Sequence, residues 1–78
     1  MNYEEISKPM YRINGVEVTK RRKERGYTQE QLSEEAGLSS ETIRSIERNR
    51  VVSGSVNALS SIARALTCDV KDLIIGEK

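Results

Sequence analysis

Between Ser39 and Arg50, polar side chains recur at helical spacing: Ser40, Glu41, Thr42, Arg44, Ser45 and Arg48, with Ile43 and Ile46 set on the opposite side. Guanidinium, carboxylate and hydroxyl groups carried together on a short rod can read a hydrogen-bonding surface: a planar fork of donors, a pair of acceptors, and small groups that do either. Missing residue types narrow the chemistry further. The chain has no histidine and one cysteine, Cys68. The most common general acid–base residue, a Cys/His zinc staple and an intramolecular disulfide are therefore all ruled out. The sequence shows no nucleophile–base pair and no phosphate-cradling glycine loop, so recognition ranks well ahead of catalysis. No enzyme activity, metal or cofactor is expected.

A rod that offers side chains outward must be held from behind. Thr28 to Glu47 reads as two short helices joined by a turn at Gly37, the arrangement in which a second helix enters the major groove of double-stranded DNA. Thr28 caps the first of the two, with Leu32 and Ala36 at i and i+4. Ser39 caps the second, with Thr42 where a full capping box would place Glu or Gln. Upstream, Met10 to Ile13 alternates like a short strand. Asn14-Gly15 then fits either a hairpin turn, with Val16 to Val18 returning, or a helix start capped by Asn14. The cap is preferred, because the basic run that follows has few turn residues until Gly26, which can end a helix in the left-handed region.

Downstream, Arg50 to Ser55 reads as a loop. Leu59, Ile62, Ala63 and Leu66 recur at helical period from about Val56 to Leu66. Asp69 caps a last short helix, Val70 to Ile75. The expectation is an all-α domain of five short helices over residues 13–78, behind a loosely ordered extension over 1–12.

At 78 residues the chain is one domain near the lower limit for folding on its own core, so its helices must pack well or lean on a second subunit. Net charge is only +1, and distribution matters more than the sum. Lys20, Arg21, Arg22, Lys23 and Arg25 crowd together, Arg44, Arg48 and Arg50 form a second basic group, and Glu30, Glu34 and Glu35 lie between, facing solvent. A solvated helix face explains such runs equally well on composition alone. No apolar run approaches the length that spans a bilayer, and the polar N-terminus is no secretory signal. A cytoplasmic protein is expected.

Residues 13 to 75 resemble the Cro/CI-type (Xre, lambda-repressor-like) helix-turn-helix domains. The resemblance rests on a joint register: Arg22 four before Gly26, Thr28-Gln29, Leu32, Gly37, Ser39, Ile43, Ile46-Glu47, then Leu59, Ile62-Ala63 and Leu66. It implies a sequence-specific, double-stranded DNA-binding transcriptional regulator, expected to repress and to act as a homodimer, with a recognition helix over about 39–48. Base readout then falls to Ser40, Glu41, Thr42, Arg44, Ser45 and Arg48. Arg44 suits guanine O6 and N7, and Glu41 either accepts from cytosine N4 or orients Arg44 or Arg48.

The resemblance assigns backbone anchoring to Gln29, at a helix N-terminus that suits anions, and pairs Arg22 with Glu47 as a structural ion pair whose spare N–H reaches a phosphate. Ser39, Lys20, Lys23, Asn49 and Arg50 complete the phosphate contacts, with solvated surface an equal reading for Lys20 and Lys23. The rival class is a protein-interaction module, antitoxin-like or adaptor. No small-molecule ligand domain and no membrane partner is expected.

Four departures from the family stand out. Arg21 occupies a common leucine position, Ser33 replaces a small alanine, and Asn49 replaces a frequent glycine. Val51 to Ser55 lacks the usual proline and runs one residue longer. Cys68 reads as a half-buried filler, and Tyr27 is expected to pack between the first two helices. Leu73 to Ile75 and Met10 to Ile13 are the candidate dimer surfaces.

Overall fold

The computed structural model describes residues 11–49, 51–54 and 56–75. In chain order the elements are β1 (Tyr11–Asn14), α1 (Gly15–Glu24), α2 (Gln29–Ala36), α3 (Ser40–Asn49), β2 (Val51–Gly54), α4 (Val56–Leu66) and a 3₁₀ turn (Val70–Leu73). Of the loosely ordered extension expected over residues 1–12, residues 1–10 lie outside the described residues, while Tyr11 and Arg12 belong to β1 and so to the fold.

Local chemistry sets where each helix begins and ends. Asn14 is the cap, not a hairpin turn: its Oδ1 accepts from the Glu17 N–H at 3.1 Å. After α1 the chain turns at Gly26 (φ +74°), and the Tyr27 N–H donates back to the Arg22 carbonyl at 3.1 Å. Thr28 and Gln31 form a complete capping box. Thr28 Oγ1 accepts from Gln31 N–H at 3.0 Å, and Gln31 Oε1 accepts from Thr28 N–H at 2.8 Å. Gly37, at φ +71°, closes α2 and lets the Leu38 N–H reach the Ser33 carbonyl at 2.9 Å. Ser39 caps α3 by accepting from Thr42 N–H at 3.1 Å, while the two hydroxyls meet at 2.9 Å.

Each helix turns one apolar face to a single core. Ile13, Val18, Leu32, Ile43, Leu59, Ile62 and Leu73 are its fully enclosed side chains, with Ala36, Ile46, Ala63, Ala65 and Leu66 around them. Fully burying one such aliphatic side chain is worth about 1.5–3 kcal/mol. Ser33 is buried too, with its hydroxyl donating to the Glu30 carbonyl at 2.7 Å, so this departure from alanine leaves no unpaired group. Tyr27 and Leu38 pack against the rim of the core.

Three expectations need correction. The expected loop from Arg50 to Ser55 contains β2, which pairs antiparallel with β1 in the register Tyr11↔Gly54, Arg12↔Ser53, Ile13↔Val52 and Asn14↔Val51. β-Branched Val51 and Val52 favour an extended backbone, and β1 supplies the partner. The fifth helix is shorter than expected, a 3₁₀ turn ending at Leu73. Beyond it Ile74 bridges Ile13 and the Ile75 N–H donates to the Arg12 carbonyl at 2.9 Å.

The third correction follows from the second. The candidate dimer surfaces are committed in part within one chain: Ile13 (1% exposed) and Leu73 (0%) are core residues, and the segments carrying them pair with each other. Ile74 and Ile75 stay half-buried, and Met10 lies outside the described residues. Among the described residues, four α-helices, a 3₁₀ turn and one short ribbon therefore stand where five helices were expected.

Past α4 the chain holds a conformation that its side chain resists. Thr67 has φ +57°, the left-handed region, which is costly for a β-branched residue. Its N–H donates to the Arg64 carbonyl at 3.1 Å, and the Cys68 N–H to the Ala63 carbonyl at 2.9 Å. Thr67→Gly should raise stability by about 0.5–1 kcal/mol, the relief of strain less the entropy that glycine adds to the unfolded chain. Denaturant melts of the two proteins measure this, and an unchanged or lowered midpoint contradicts it.

Candidate nucleic-acid interface

One polar cluster behind α3 sets how that helix is held. The Arg22 guanidinium, on α1, meets the Glu47 carboxylate, on α3, with Nε to Oε2 at 2.7 Å and Nη2 to Oε1 at 3.0 Å. Arg22 Nη1 donates to the Tyr27 carbonyl at 2.8 Å, and Gln29 Nε2 donates to Glu47 Oε1 at 3.2 Å. Both charged side chains are nearly enclosed, 11% exposed for Arg22 and 6% for Glu47. A bidentate, hydrogen-bonded pair of this kind fixes both distance and angle between the elements it joins. It ties the last turns of α1, the start of α2 and the second half of α3 together.

Glu47 stays charged there. Burial works against the carboxylate, but hydrogen bonds from Arg22 and Gln29 and the pull of the Arg22 charge outweigh it and lower its pKa below the ordinary 4.5. With the folded pKa below the unfolded one, this stabilisation is complete above 4.5 and vanishes as pH falls through the folded value.

The outward side of α3 is a different surface. Ile43 (0% exposed) and Ile46 (4%) face the core, while Glu41, Thr42, Ser45, Arg48 and Asn49 are exposed and Ser40 and Arg44 half-exposed. Contacts within this face are loose. Arg44 Nη2 lies 3.5 Å from Ser40 Oγ and 4.0 Å from Glu41 Oε1, and Asn49 Nδ2 donates to Ser45 Oγ at 3.2 Å. Arg48 has no partner among the described residues. Thr42 differs from the others, because its hydroxyl is engaged with Ser39 in the cap.

The other candidate residues separate by position. Lys20 and Lys23 are exposed on α1, and Arg50 lies outside the described residues. Gln29 opens α2, where Gln29 and Glu30 have backbone N–H groups without an intrahelical acceptor, but its amide is turned toward Glu47. Arg22 commits Nε, Nη1 and Nη2 within the protein. Sequence reasoning missed the Tyr27 carbonyl as the third anchor of Arg22 and the Gln29 amide as a second donor to Glu47.

Arg21 does not enter the core. Its Nε donates to Glu17 Oε2 at 2.8 Å, one helical turn back on α1. Cys68 is half-buried against the core. Burial pushes its thiol pKa up against the opposing pull of Arg21, so it stays a neutral thiol.

Two short helices joined at a left-handed glycine, with the second held from behind and polar in front, define a helix-turn-helix protein. A helix-turn-helix family profile (HTH_3) matches residues 18–73. The chain belongs to this Cro/CI-type (Xre) family of DNA-binding transcription regulators.

Among solved structures it is similar to the N-terminal DNA-binding domain of SinR, the master biofilm regulator of Bacillus subtilis, with 32% identity and a TM-score of 0.72 over 81% of this chain and 91% of that one. It is also similar to SinR solved in complex with DNA, with 33% identity and a TM-score of 0.70 over 74% of this chain and 95% of that one. The restriction-modification controller protein C.AhdI of Aeromonas hydrophila shares the fold at 24% identity, with a TM-score of 0.69 over 74% of this chain and 86% of that one. A search of curated proteins returns no significant match. No helix among the described residues is long and apolar enough to cross a membrane.

Removing one member of a buried pair strands the other charge, so Glu47→Ala should cost about 3 kcal/mol or more, a large share of a small domain's stability. Chemical denaturation at neutral pH measures it, and a loss under about 1 kcal/mol rejects the role given to this pair. Glu47→Gln should also flatten the decline in stability below about pH 5, and an unaltered acid limb shows that other carboxylates govern it.

Proposed function

We propose that the chain is a sequence-specific repressor that binds double-stranded DNA as a homodimer in the cytoplasm, with α3 lying in the major groove. The observation that carries this reading is the division of α3. Its inner side is committed to the core and to Arg22, and its outer side carries donors and acceptors whose contacts within the described residues are confined to neighbours on the same helix and its cap. Ser40, Glu41, Arg44 and Ser45, with Thr42 and Arg48 at the edges of reach, read bases. A bidentate arginine–guanine contact discriminates by about 1–3 kcal/mol.

The exposed amines of Lys20 and Lys23, the α2 N-terminus at Gln29, and Asn49 with Arg50 after α3 grip phosphates and set the register on the duplex. Ser39 and Arg22, largely engaged within the protein, contribute through whatever donor capacity remains. Solved relatives support the reading: SinR has been crystallised with DNA at 33% identity to this chain. Two copies would meet half-sites about 34 Å apart, one helical turn of DNA.

The near-neutral total charge, +1, favours a second reading, in which the α3 face docks on a protein. Salt separates the two. A phosphate binder loses affinity steeply as salt rises, whereas docking on a protein has no counterion release from DNA to drive such a slope.

Selection of bound duplexes from a random pool, followed by titration of the winner and a scrambled control at two salt concentrations, tests the proposal. The winner should bind preferentially and with a negative salt slope; equal, salt-insensitive binding of both defeats it. On that duplex Arg44→Ala should lose about 1–3 kcal/mol at particular base pairs, while Lys20→Ala weakens all sequences alike. A uniform loss for Arg44→Ala removes it from the readers.

A further inference from the structure

Among the described residues, the β1–β2 ribbon has one closed edge and one open edge. On the closed side, Ile13 bridges Ile74 and the Ile75 N–H donates to the Arg12 carbonyl. The backbone groups of Arg12 therefore point away from β2. Backbone polar groups alternate sides along a strand, so Tyr11 and Ile13 face β2, and their register partners Gly54 and Val52 face β1. That leaves the N–H and C=O groups of Val51 and Ser53 directed at the far side of β2, where the sheet has no further strand among the described residues.

Edge strands of soluble proteins are commonly guarded by a charge, a proline or a bulge. Val51-Val52-Ser53-Gly54 contains no charge and no proline, and its register with β1 runs without a bulge.

We propose that the open edge of β2 pairs antiparallel with β2 of a second copy of this chain, about a twofold axis through Val52. In this register Val51 of each copy exchanges both hydrogen bonds with Ser53 of the other, and every outward N–H and C=O of the two residues finds a partner. The strand is thus complementary to itself, as an isologous contact requires.

Placement of the apolar surface agrees. The exposed large hydrophobics among the described residues are Val16 (55%) and Val56 (41%). Val56 follows the end of β2, and Val16 follows the end of β1 that lies beside Val51. The twofold brings Val56 of one copy to the same end of the joined sheet as Val16 of the other. β2 begins two residues after α3 ends, so the same axis fixes the spacing of two outward faces. The inference rests on the dimeric reading above and supplies its surface.

Sedimentation of the full chain over a range of concentrations tests the pairing. The wild type should self-associate. Ser53→Pro removes an outward N–H and leaves the β1–β2 bonds in place, as proline tolerates an edge position. It should retain native circular dichroism and weaken association about thirty-fold, from one lost hydrogen bond per copy. Val52→Cys in a Cys68→Ser background should form an intermolecular disulfide on mild oxidation, because the axis brings the two Cα atoms to about 4.5 Å.

A wild type that stays monomeric, an unaffected Ser53→Pro or no disulfide overturns the proposal. A protein that dimerises only after removal of residues 1–9 overturns it too, since that segment would then be the occupant of the edge. Self-association without any preferred duplex would sink the DNA reading and leave this pairing standing; preferred binding by a strict monomer would do the reverse.

Discussion

The Arg22–Glu47 pair is the constraint on which the rest of the molecule depends. A short helix such as α3 is marginal by itself and takes its stability and direction from what it packs on. Ile43 and Ile46 supply the packing, but apolar contact alone leaves a rod free to roll and slide. The bidentate pair removes those freedoms, because a planar fork meets a planar carboxylate in few geometries. The Tyr27 carbonyl and the Gln29 amide add a further partner to each member of the pair, which helps make two enclosed charges tolerable. The arrangement specifies orientation more than it adds stability.

Helix termini carry the second layer of specification. Asn14, Thr28 with Gln31, and Ser39 each satisfy backbone groups that a short helix would otherwise leave bare, and Gly26 and Gly37 turn the chain where a side chain would be strained. Each short helix is therefore delimited chemically before tertiary contacts act. Thr67 is the exception, a β-branched residue in a left-handed position that the packed α4 and the 3₁₀ turn hold in place.

These same local signals explain what was legible in the sequence. The caps at Asn14, Thr28 and Ser39, the stops at Gly26 and Gly37, and the period of Leu59, Ile62, Ala63 and Leu66 all have short-range causes, so α1 to α4 could be read from spacing. The division of α3 into Ile43 and Ile46 against Arg44, Ser45 and Arg48 follows from the same periodicity. The alternation of Met10 to Ile13 announces β1, but the ribbon was not legible, because pairing Tyr11–Asn14 with Val51–Gly54 joins segments far apart in the chain, and Val51–Gly54 reads as part of a loop. The fate of Ile74 and Ile75 was hidden for the same reason: an apolar tail looks alike whether it meets its own chain or another. The bond from Gln29 to Glu47 depends on how two helices are angled, which spacing does not encode.

One consequence lies in the separation of the two sides of α3. Ser40, Glu41, Arg44, Ser45 and Arg48 take no part in the core or in the Arg22 network, so they can be exchanged with little penalty to folding. A lineage carrying this scaffold is thus free to drift toward new targets by replacing a handful of surface groups. Arg22, Gln29 and Glu47, by contrast, form a chassis in which each change must be answered by another.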